Sequence, residues 1–525
     1  MKLIGGNYIA GLVSSEGKST FKGINPFDAS ELPTDFHEAT EEEVNKAVIK
    51  ANEAFTVYSK KSGHNKADFL DAIADEILNL GDTLIERCCA ETGLPVGRIT
   101  GERGRTMGQL KLFANVLREG SWVDARIDTA IPDRQPIPKQ DIRSMQKALG
   151  VVGVFGASNF PLAFSVAGGD TASALASGCP IVVKAHPSHP GTCELIAIAI
   201  NAAAKKTNMP ASVFSMVHGK SVAVGMAIVN HPFVKAIGFT GSNKGGIAIF
   251  KAANEREEPI PVYAEMGSTN PVFILPNALK ESGDEIAQGL TGSVTLGVGQ
   301  FCTNPGIVFL NNETSVSDFQ EKLSQNFQAV EANTMLNSGI KSAFDNGVNN
   351  LSSKNNVELL AQGKENNQGF KGSAHVFKTS AKNFLNENYL EEEVFGPSTI
   401  TITADSKDEL LASAKKMKGH LTATLFATEE DLENHTDLIE ILEQKVGRLI
   451  INNFPTGVEV CHSMVHGGPF PSTTNSRSTS VGTGAITRFT RPVCYQNFPQ
   501  HLLTDELKNE NPLGIIRIFN GEYKK

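Results

Sequence analysis

The sequence predicts an α/β protein with two large regions, each built on a mainly parallel sheet, and a smaller extended region. Three observations lead to this expectation. From Gly150 onward, short apolar runs alternate with helical segments, which is typical of βαβ units. The same alternation restarts after Pro271. Residues 124–146 differ from both, because they hold three prolines among charged residues and lack helical periodicity.

Helices are predicted in the first part of the chain. Thr40 is followed three residues later by Glu43, the pattern in which side chain and backbone cap each other at a helix start. Apolar residues then recur at helical spacing as far as Phe55. Residues 66–90 and 102–117 carry two more helical patterns, whereas residues 124–146 are expected to be extended.

In the first alternating region, strands are expected at the short apolar runs and helices at the longer periodic segments. The predicted strands are residues 151–155, 181–183, 213–217 and 234–239. The predicted helices are residues 165–177, 190–204, 221–229 and 243–253. Because crossovers between parallel strands are right-handed, these units predict a doubly wound sheet.

The second region repeats this pattern, with more irregular chain between its elements. Its predicted strands are residues 272–275, 307–310, 399–402, 422–427 and 448–452. Its predicted helices are residues 281–297, 407–417 and 429–444. Residues 472–490 are rich in Ser, Thr and Gly, and we expect them to lie over the surface.

Composition excludes several classes of protein. The chain has 525 residues, a formal charge of −9 and an isoelectric point near 5.8, which argues against a general nucleic-acid binder. No run of about 18 apolar residues exists and the N-terminus is not a secretory signal, so we expect a cytoplasmic protein without a membrane helix. The seven cysteines include no C-x-x-C, which argues against a disulfide framework and a zinc site.

The segment G-V-G-Q-F-C-T-N-P-G places Cys302 between a predicted helix end and a predicted strand. Loops between regular elements are where catalytic groups are often held. A thiol becomes a good nucleophile as a thiolate, which needs N–H groups or positive charge nearby. The alternative is a small buried cysteine without a chemical role.

The segment Y-A-E-M-G-S-T-N-P places Glu265 at the end of an apolar strand. An acid at the carboxyl end of a parallel strand points into the crevice where α/β sheets bind ligands. Burial there predicts a raised pKa, which suits a general base. The alternative is a strand-terminal Glu that forms a turn or a salt bridge.

Three further segments place polar residues directly after predicted strands. In G-A-S-N-F-P, Asn159 offers an amide N–H to an oxyanion, or caps the next helix. Lys184 ends a strand, where its side chain is expected either to bind a ribose or phosphate or to be solvated. In F-T-G-S-N-K-G-G, Gly241, Ser242 and Gly246 open a helix whose free N–H groups suit a phosphate, or they form an ordinary turn.

Together these motifs resemble the aldehyde dehydrogenase superfamily, in one order, over about residues 25–499. The matching patterns are N-F-P, the strand-end Lys, F-T-G-S, E-M-G, G-Q-x-C and E-x-F-G-P. The resemblance implies that Cys302 is the nucleophile, Glu265 the general base and Asn159 the oxyanion donor. The implied dinucleotide site contains Lys184, Gly241, Ser242, Gly246, Glu393 and Phe395. Asn452 matches the start of an N-x-x-x-G segment beside the active site.

The same resemblance implies a Rossmann-like cofactor domain, an α/β catalytic domain and a small β flap for oligomerisation. The implied cofactor domain covers residues 1–123 and 149–264, and the catalytic domain covers residues 265–485. The flap covers residues 124–148 and 486–500. A homodimer or homotetramer is expected, with a small-molecule aldehyde as ligand and no nucleic acid, membrane or metal.

Several stretches narrow the resemblance. K-A-H-P-S-H-P-G-T and P-T-G-V-E-V-C-x-S-M-V-H-G-G-P, among others, are similar to the group that holds bacterial 2,5-dioxopentanoate (α-ketoglutaric semialdehyde) dehydrogenases. The NADP-dependent fatty-aldehyde dehydrogenase of luminous bacteria belongs to the same group, so a fatty aldehyde is the alternative substrate. A substrate carboxylate needs a cation, and the candidates are Arg103, Arg105 and Arg477. Surface salt bridges are an equally supported alternative role for these three arginines.

The loop after Lys184 bears on the choice between NADP and NAD. Many NAD-linked members carry Glu three residues after this Lys, where the present chain has Pro187. A Glu would repel the 2′-phosphate of NADP, and Pro removes that repulsion, so NADP is expected to be accepted beside NAD. His186, Ser188 or His189 add donors to the phosphate, or the segment is a rigid turn with two surface histidines.

The implied reaction oxidises an aldehyde to a carboxylic acid. Cys302 adds to the carbonyl, a hydride passes to the nicotinamide, and Glu265 activates the water that hydrolyses the thioester. A CoA-acylating or acyl-phosphate reductase uses the same thioester, but such relatives typically lack the Glu base. A non-catalytic binding protein on this fold is the other alternative, and the joint presence of Cys302, Asn159 and Glu265 argues against it.

Overall fold

The α-helices and strands of the computed structural model are described over residues 2–366 and 368–525. In that part of the chain, no helix is both long enough and apolar enough to cross a membrane. The α-helices, numbered along the chain, are α1 (Glu41–Tyr58), α2 (Gly63–Asn79), α3 (Gly81–Thr92), α4 (Val96–Glu119), α5 (Gly169–Ser177), α6 (Pro190–Lys206), α7 (Val222–Asn230), α8 (Asn243–Asn254), α9 (Pro276–Thr295), α10 (Thr314–Gln328), α11 (Ser338–Ser352), α12 (Ala381–Asn386), α13 (Lys407–Lys416), α14 (Glu429–Asn434) and α15 (Thr436–Glu443).

The strands form two large sheets, one five-stranded sheet and three small pairs. They are β1 (Asn7–Ile9), β2 (Leu12–Ser14), β3 (Thr20–Phe21), β4 (Ile24–Asn25), β5 (Ser30–Glu31), β6 (Phe36–His37), β7 (Arg126–Asp128), β8 (Ile142–Ala148), β9 (Val151–Phe155), β10 (Ile181–Lys184), β11 (Phe214–Val217), β12 (Val234–Thr240), β13 (Val262–Glu265), β14 (Val272–Ile274), β15 (Ile307–Asn311), β16 (Asn333–Thr334), β17 (Glu358–Gln362), β18 (Lys371–Gly372), β19 (His375–Ser380), β20 (Ser398–Ala404), β21 (His420–Phe426), β22 (Val446–Ile451), β23 (Thr490–Gln496), β24 (Arg517–Phe519) and β25 (Glu522–Lys524).

The first large sheet has the order β13-β12-β9-β10-β11-β1-β2. The strands from β13 to β11 run parallel, as the alternating pattern predicts. The N-terminal strands β1 and β2 add an antiparallel edge that the pattern did not predict. The strand order reverses at β9, which lies between β10 and β12. Such a reversal opens a crevice at the carboxyl ends of the strands, where α/β sheets bind ligands.

The second large sheet has the order β17-β19-β20-β15-β14-β21-β22 and is parallel from β19 to β22. The edge strand β17 is antiparallel to β19. The predicted helix over residues 281–297 starts earlier, because Pro276 opens α9 and Ser282 kinks it with a φ of −136°. The predicted helix over residues 429–444 is two helices, which join at His435.

Among the helices before the first sheet, the predicted start of α1 is confirmed and one predicted helix is found to be two. Thr40 and Glu43 form both bonds of the capping box at the start of α1. The predicted helix over residues 66–90 is divided into α2 and α3, because Gly81 adopts a left-handed φ of +55°. The next helix, α4, is longer than its apolar pattern and starts directly after Pro95.

The extended region predicted at residues 124–146 contributes β7 and β8 to a sheet of order β23-β8-β7-β24-β25. Strand β23 pairs with β8 along its whole length. The end of the chain adds β24 parallel to β7, which no sequence pattern predicted. Buried apolar side chains, including Ile127, Met145 and Leu507, form the core under this sheet.

The expectation that residues 472–490 lie over the surface is wrong. Ser472 is fully buried and its carbonyl accepts a hydrogen bond from Met266 N. Thr474 Oγ1 accepts a hydrogen bond of 2.9 Å from the backbone N–H of Ala264, in β13. Ser and Thr can enter the interior when their hydroxyls pair with backbone groups, so a polar segment is buried beside the first sheet.

Candidate active site

A cleft of about 400 Å³ is lined by residues from both large sheets. The first sheet contributes segments at the carboxyl ends of β9, β10, β12 and β13. The second sheet contributes segments that precede β14, β15 and β20, so the carboxyl edge of one sheet faces the amino edge of the other. The predicted site residues that line the cleft are Asn159, His186, Gly241, Ser242, Glu265, Cys302, Glu393 and Phe395.

The loop that carries Cys302 is held in a strained conformation. Val298 has a φ of +60°, a left-handed geometry that costs a β-branched residue on the order of 1–3 kcal/mol. Asn270 clamps the loop, because its Nδ2 donates to the carbonyl oxygens of Cys302 at 2.8 Å and Asn304 at 2.9 Å. The half-buried thiol is therefore positioned by contacts made outside its own motif.

The amide of Asn159 lies on the segment after β9. Its Nδ2 donates a hydrogen bond of 2.9 Å to the carbonyl oxygen of Gln300, two residues before Cys302. Gln300 is itself anchored, because its Oε1 accepts from Leu336 N at 3.0 Å. An amide nitrogen has two hydrogens, so the contact with Gln300 fixes the group and leaves the second N–H for an oxyanion.

Glu265 is buried at the end of β13 in contact with two residues from irregular segments. Nε2 of His466 lies 2.6 Å from Oε1 of Glu265 and 3.5 Å from Sγ of Cys302. The contact with sulfur has hydrogen-bond geometry, whereas the contact with Oε1 is an ion pair by distance. The hydroxyl of Ser480 donates to Oε2 of Glu265. The thiol, the imidazole and the carboxylate therefore form one cluster.

The charges in this cluster lower the pKa of Glu265, which was expected to be raised. Burial raises the pKa of the Glu265 carboxyl, but the charge and hydrogen bond of His466, with the bond from Ser480, outweigh burial and hold it below the usual value. Burial lowers the pKa of His466, and the charges of Glu265 and Cys302 reverse that effect and raise it. The predicted raised pKa of Glu265 is wrong, because it took account of burial alone.

His466 is the site residue that motif reasoning missed. Its backbone is fixed, because its N–H donates to Thr479 Oγ1 at 2.8 Å and its carbonyl accepts from Ser480 N at 2.8 Å. The signal available in the sequence was the stretch V-H-G-G-P within a longer irregular segment. That segment has no strand or helix period, so nothing local indicated that its histidine turns inward to Cys302.

The cleft offers a nucleotide a helix start on one side and a buried carboxylate on the other. Ser242 caps α8, and its side chain accepts from Gly245 N at 3.2 Å. The free N–H groups of such a start suit a phosphate. Burial raises the pKa of Glu393 to about 7, and a Cβ on Gly267 would collide with the Glu393 carboxylate. These residues fit a nicotinamide dinucleotide, whose phosphates and ribose need such partners.

Other predicted cofactor residues lie further from the cleft. Lys184 ends β10, and burial lowers its pKa to about 8. Ser188 Oγ accepts a hydrogen bond of 3.0 Å from Asn337, a residue that does line the cleft. Gly246 lies in α8 against Met266, where a Cβ would meet the thioether. Asn452 follows β22 and bonds the backbone of Ala427 in both directions, at 2.8 and 2.9 Å.

The three arginines predicted for a substrate carboxylate have different surroundings. Arg477 is exposed on the segment beside β13. Arg103 donates a hydrogen bond of 3.2 Å to the carbonyl of Gly81, between two helices. Arg105 is half-buried and lies over the ring of Phe164, with 5.1 Å between Cζ and the ring centroid. The structure therefore does not bring the three together.

A cleft between two parallel sheets that brings together a thiol, a carboxylate and an amide donor is typical of thiol-dependent oxidoreductases. A sequence profile of the aldehyde dehydrogenase family matches residues 12–492, and the chain belongs to this family. It is an enzyme that oxidises an aldehyde with a nicotinamide cofactor.

Two bacterial relatives are similar over nearly the whole chain. The alpha-ketoglutaric semialdehyde dehydrogenase 2 of Azospirillum brasilense is 48% identical over 521 residues, 99% of this chain and 98% of that protein. The alpha-ketoglutaric semialdehyde dehydrogenase of Acinetobacter baylyi is 45% identical over 518 residues, 98% of each chain.

Solved structures support the fold. A betaine aldehyde dehydrogenase variant from Staphylococcus aureus, in complex with NAD+, has a TM-score of 0.80 at 20% identity and covers 95% of this chain and 98% of its own. An aldehyde dehydrogenase variant from Bacillus cereus has a TM-score of 0.79 at 22% identity, with coverage of 94% and 96%.

Proposed function

We propose that this enzyme oxidises 2,5-dioxopentanoate to 2-oxoglutarate through a thioester on Cys302. The substrate is proposed from two relatives at 45% and 48% identity, both named for α-ketoglutaric semialdehyde, which is the same compound. The observation that carries the mechanism is the cluster in which Nε2 of His466 lies between Cys302 and Glu265, at 3.5 and 2.6 Å.

In the proposed reaction, the Cys302 thiolate adds to the aldehyde carbon and forms a thiohemiacetal. The free N–H of Asn159 stabilises the oxyanion. A nicotinamide held in the cleft by Glu393 and Phe395 would supply the acceptor for the hydride that leaves the same carbon. Collapse of the oxyanion leaves a thioester on Cys302, and Glu265 removes a proton from the water that attacks it. The C–S bond then breaks, which releases the carboxylic acid and restores the thiolate.

We assign His466 the role of a positioning residue for both groups. Its Nε2 lies 3.5 Å from Sγ of Cys302, where an imidazolium N–H donates a hydrogen bond to the sulfur and orients it for attack. Its contact with Oε1 also fixes the Glu265 carboxylate while Ser480 holds the other oxygen. The lowered pKa of Glu265 makes it a weaker base than an isolated buried carboxylate but keeps it ionised and ready near neutral pH.

For the cofactor we propose that NADP is accepted beside NAD. Pro187 lies half-buried in the turn after β10, so this position carries no negative charge. Lys184 supplies a cation at the end of β10, and Ser188 accepts a hydrogen bond from Asn337, which lines the cleft. Burial holds the pKa of His186 well below its usual value, so its ring is neutral at pH 7 and contributes as a hydrogen-bond partner.

We propose the same division of the chain as the resemblance implies, with an extended flap. Sheet membership supports a cofactor domain of residues 1–123 and 149–264 and a catalytic domain of residues 265–485. The flap at 124–148 and 486–500 gains β24 and β25 from the end of the chain. On its other side, β23 has no neighbour among the described strands, which makes it available for a homodimer or homotetramer. Seven free thiols suit a reducing, cytoplasmic environment.

The direct test is steady-state kinetics of the purified enzyme with 2,5-dioxopentanoate, butanal and a long-chain aldehyde, each with NADP and with NAD. The expected result is the highest kcat/KM for 2,5-dioxopentanoate and measurable turnover with NADP. A higher kcat/KM for the long-chain aldehyde would contradict the proposed substrate. No turnover with NADP would contradict the proposal that NADP is accepted. Light scattering of the same sample measures the oligomeric state.

A further inference from the structure

A second cavity, of about 520 Å³, lies between α4 and the loop that follows β22. Its lining differs from that of the nucleotide cleft, because it includes no glycine-rich helix start. The polar residues on its wall are Arg105, Lys111, Asn115 and Glu459. Lys111 is paired with Asp75 at 3.5 Å, so Arg105 is the cation on this wall that has no carboxylate partner among the described residues.

The guanidinium of Arg105 is incompletely satisfied. Its Nη2 donates one long hydrogen bond of 3.4 Å to the carbonyl of Val458. Its Nη1 is buried and has no hydrogen-bond partner among the described residues. Arg98, two turns earlier on the same face of α4, shows the contrasting case, because its Nη1 is paired with Glu102 at 2.6 Å. A buried guanidinium nitrogen without a partner is costly, and a carboxylate is the group that best satisfies it.

Arg105 is linked to the reacting thiol by two rings. Its Cζ lies 5.1 Å from the ring centroid of Phe164, and that ring lies 6.1 Å from the ring of His466, which contacts Cys302. Burial lowers the pKa of Arg105 and outweighs the charges of Glu102, Cys302 and Glu265, which act in the opposite direction. The guanidinium is thus close enough for its charge to interact with the catalytic groups.

We propose that Arg105 binds the substrate carboxylate and thereby selects aldehydes that carry an acid group at the far end. The proposal rests on the function given above, because the aldehyde end must reach Cys302 while the acid end pairs with Nη1 and Nη2. The two groups of 2,5-dioxopentanoate stand at opposite ends of a five-carbon chain, which suits a cation set back from the nucleophile. Glu459 lies exposed at the rim, where solvent screens its repulsion of an acid.

The test compares Arg105→Met and Arg105→Lys with wild type on two matched pairs of substrates. The pairs are 2,5-dioxopentanoate with pentanal, and 4-oxobutanoate with butanal. The control is Arg103→Met, on the same helix but bonded to Gly81. We expect Arg105→Met to lower kcat/KM for the acids about 100-fold, mainly through KM, and to change the alkanals less than about threefold. Arg105→Lys is expected to lower kcat/KM for the acids by a smaller factor than Arg105→Met.

The outcomes separate this inference from the proposed function. Equal losses for acids and alkanals, or no loss for either, would overturn the role of Arg105 while the proposed reaction stands. A selective loss in an enzyme that prefers 4-oxobutanoate would support Arg105 and overturn the proposed substrate. A wild-type enzyme that favours neither acid over its matched alkanal would overturn both. Retained turnover of alkanals by Arg105→Met shows that the variant is folded.

Discussion

The nucleotide side and the Arg105 side of Cys302 are built in different ways. The nucleotide side consists of short segments placed directly after β9, β12 and β13, with glycines and small side chains close to the backbone. The Arg105 side consists of residues from α4 and from the loop after β22. One side is set by the ends of parallel strands, and the other by packing between distant parts of the chain.

This difference explains which residues a sequence can reveal. A cofactor shared by many enzymes needs a constant backbone cradle, and the strand-turn-helix signal that forms it is local. A substrate differs from enzyme to enzyme, and its pocket is formed by side chains whose neighbours are far away in the chain. Mutations on the two sides should therefore separate cofactor effects from substrate effects.

The largest effect should come from the residue shared by both sides. Cys302→Ala removes the atom that forms the bond to the substrate, and we expect aldehyde oxidation to fall by about 10⁴-fold or more. Binding of NADP, measured by calorimetry, should stay within about threefold of wild type, because Cys302 is not among the residues proposed to bind the nucleotide. Cys461→Ala is the matched control and should retain activity. Substantial turnover by Cys302→Ala would rule out the nucleophile assignment.

Glu265→Gln should have the next largest effect, with a steady-state rate about 100- to 1000-fold lower than wild type. Hydride transfer precedes the step that needs the base, so a rapid burst of NADPH followed by slow turnover is expected. Stopped-flow absorbance measures both phases. If the variant shows neither a burst nor a slower rate, Glu265 has only a structural role.

His466→Gln should slow alkylation of Cys302 by iodoacetamide at pH 7 about tenfold, because the thiolate loses its neighbouring cation. The raised pKa of His466 keeps it protonated in wild type, so the difference in alkylation rate between wild type and His466→Gln should persist as the pH rises above the usual histidine range. His462→Gln, in the same segment but bonded to Thr483, is the control. Equal alkylation rates in all three proteins would show that His466 does not activate the thiol.

The smallest effect should be confined to the nucleotide side. Pro187→Glu places a carboxylate near the 2′-phosphate of NADP, and we expect KM for NADP to rise on the order of tenfold. KM for NAD should change much less, because NAD has no charge at that position. Measuring both cofactors in the same variant provides the internal control. Equal changes for the two cofactors would contradict the proposed role of this loop.

The sequence predicted much of the two large sheets, and eight of the site residues that it indicated line the cleft. Helix α1 was predicted down to its cap, since Thr40 and Glu43 are neighbours in the chain. The strands β1 and β24 were missed, because they are short and pair with distant segments, and β25 was missed with its hairpin partner β24. The burial of residues 472–490 was missed for a related reason, since polar composition does not reveal hydroxyls that pair with β13.

The candidate site shows the same limit in its charges. Cys302, Asn159 and Glu265 could be named from motifs, but the direction of the Glu265 pKa could not, since it depends on His466 and Ser480. The distances that matter there join residues roughly two hundred positions apart, which no periodic pattern encodes.

The close approach of Gly267 to Glu393 means that these two positions are not independent under mutation. A Cβ at position 267 would meet the Glu393 carboxylate, which is the far end of a flexible side chain, so Glu393 would have to turn aside to make room. The glycine therefore keeps the acid in its present place in the cleft. A library that varies position 267 is best designed to vary position 393 with it, because the first change displaces the second side chain.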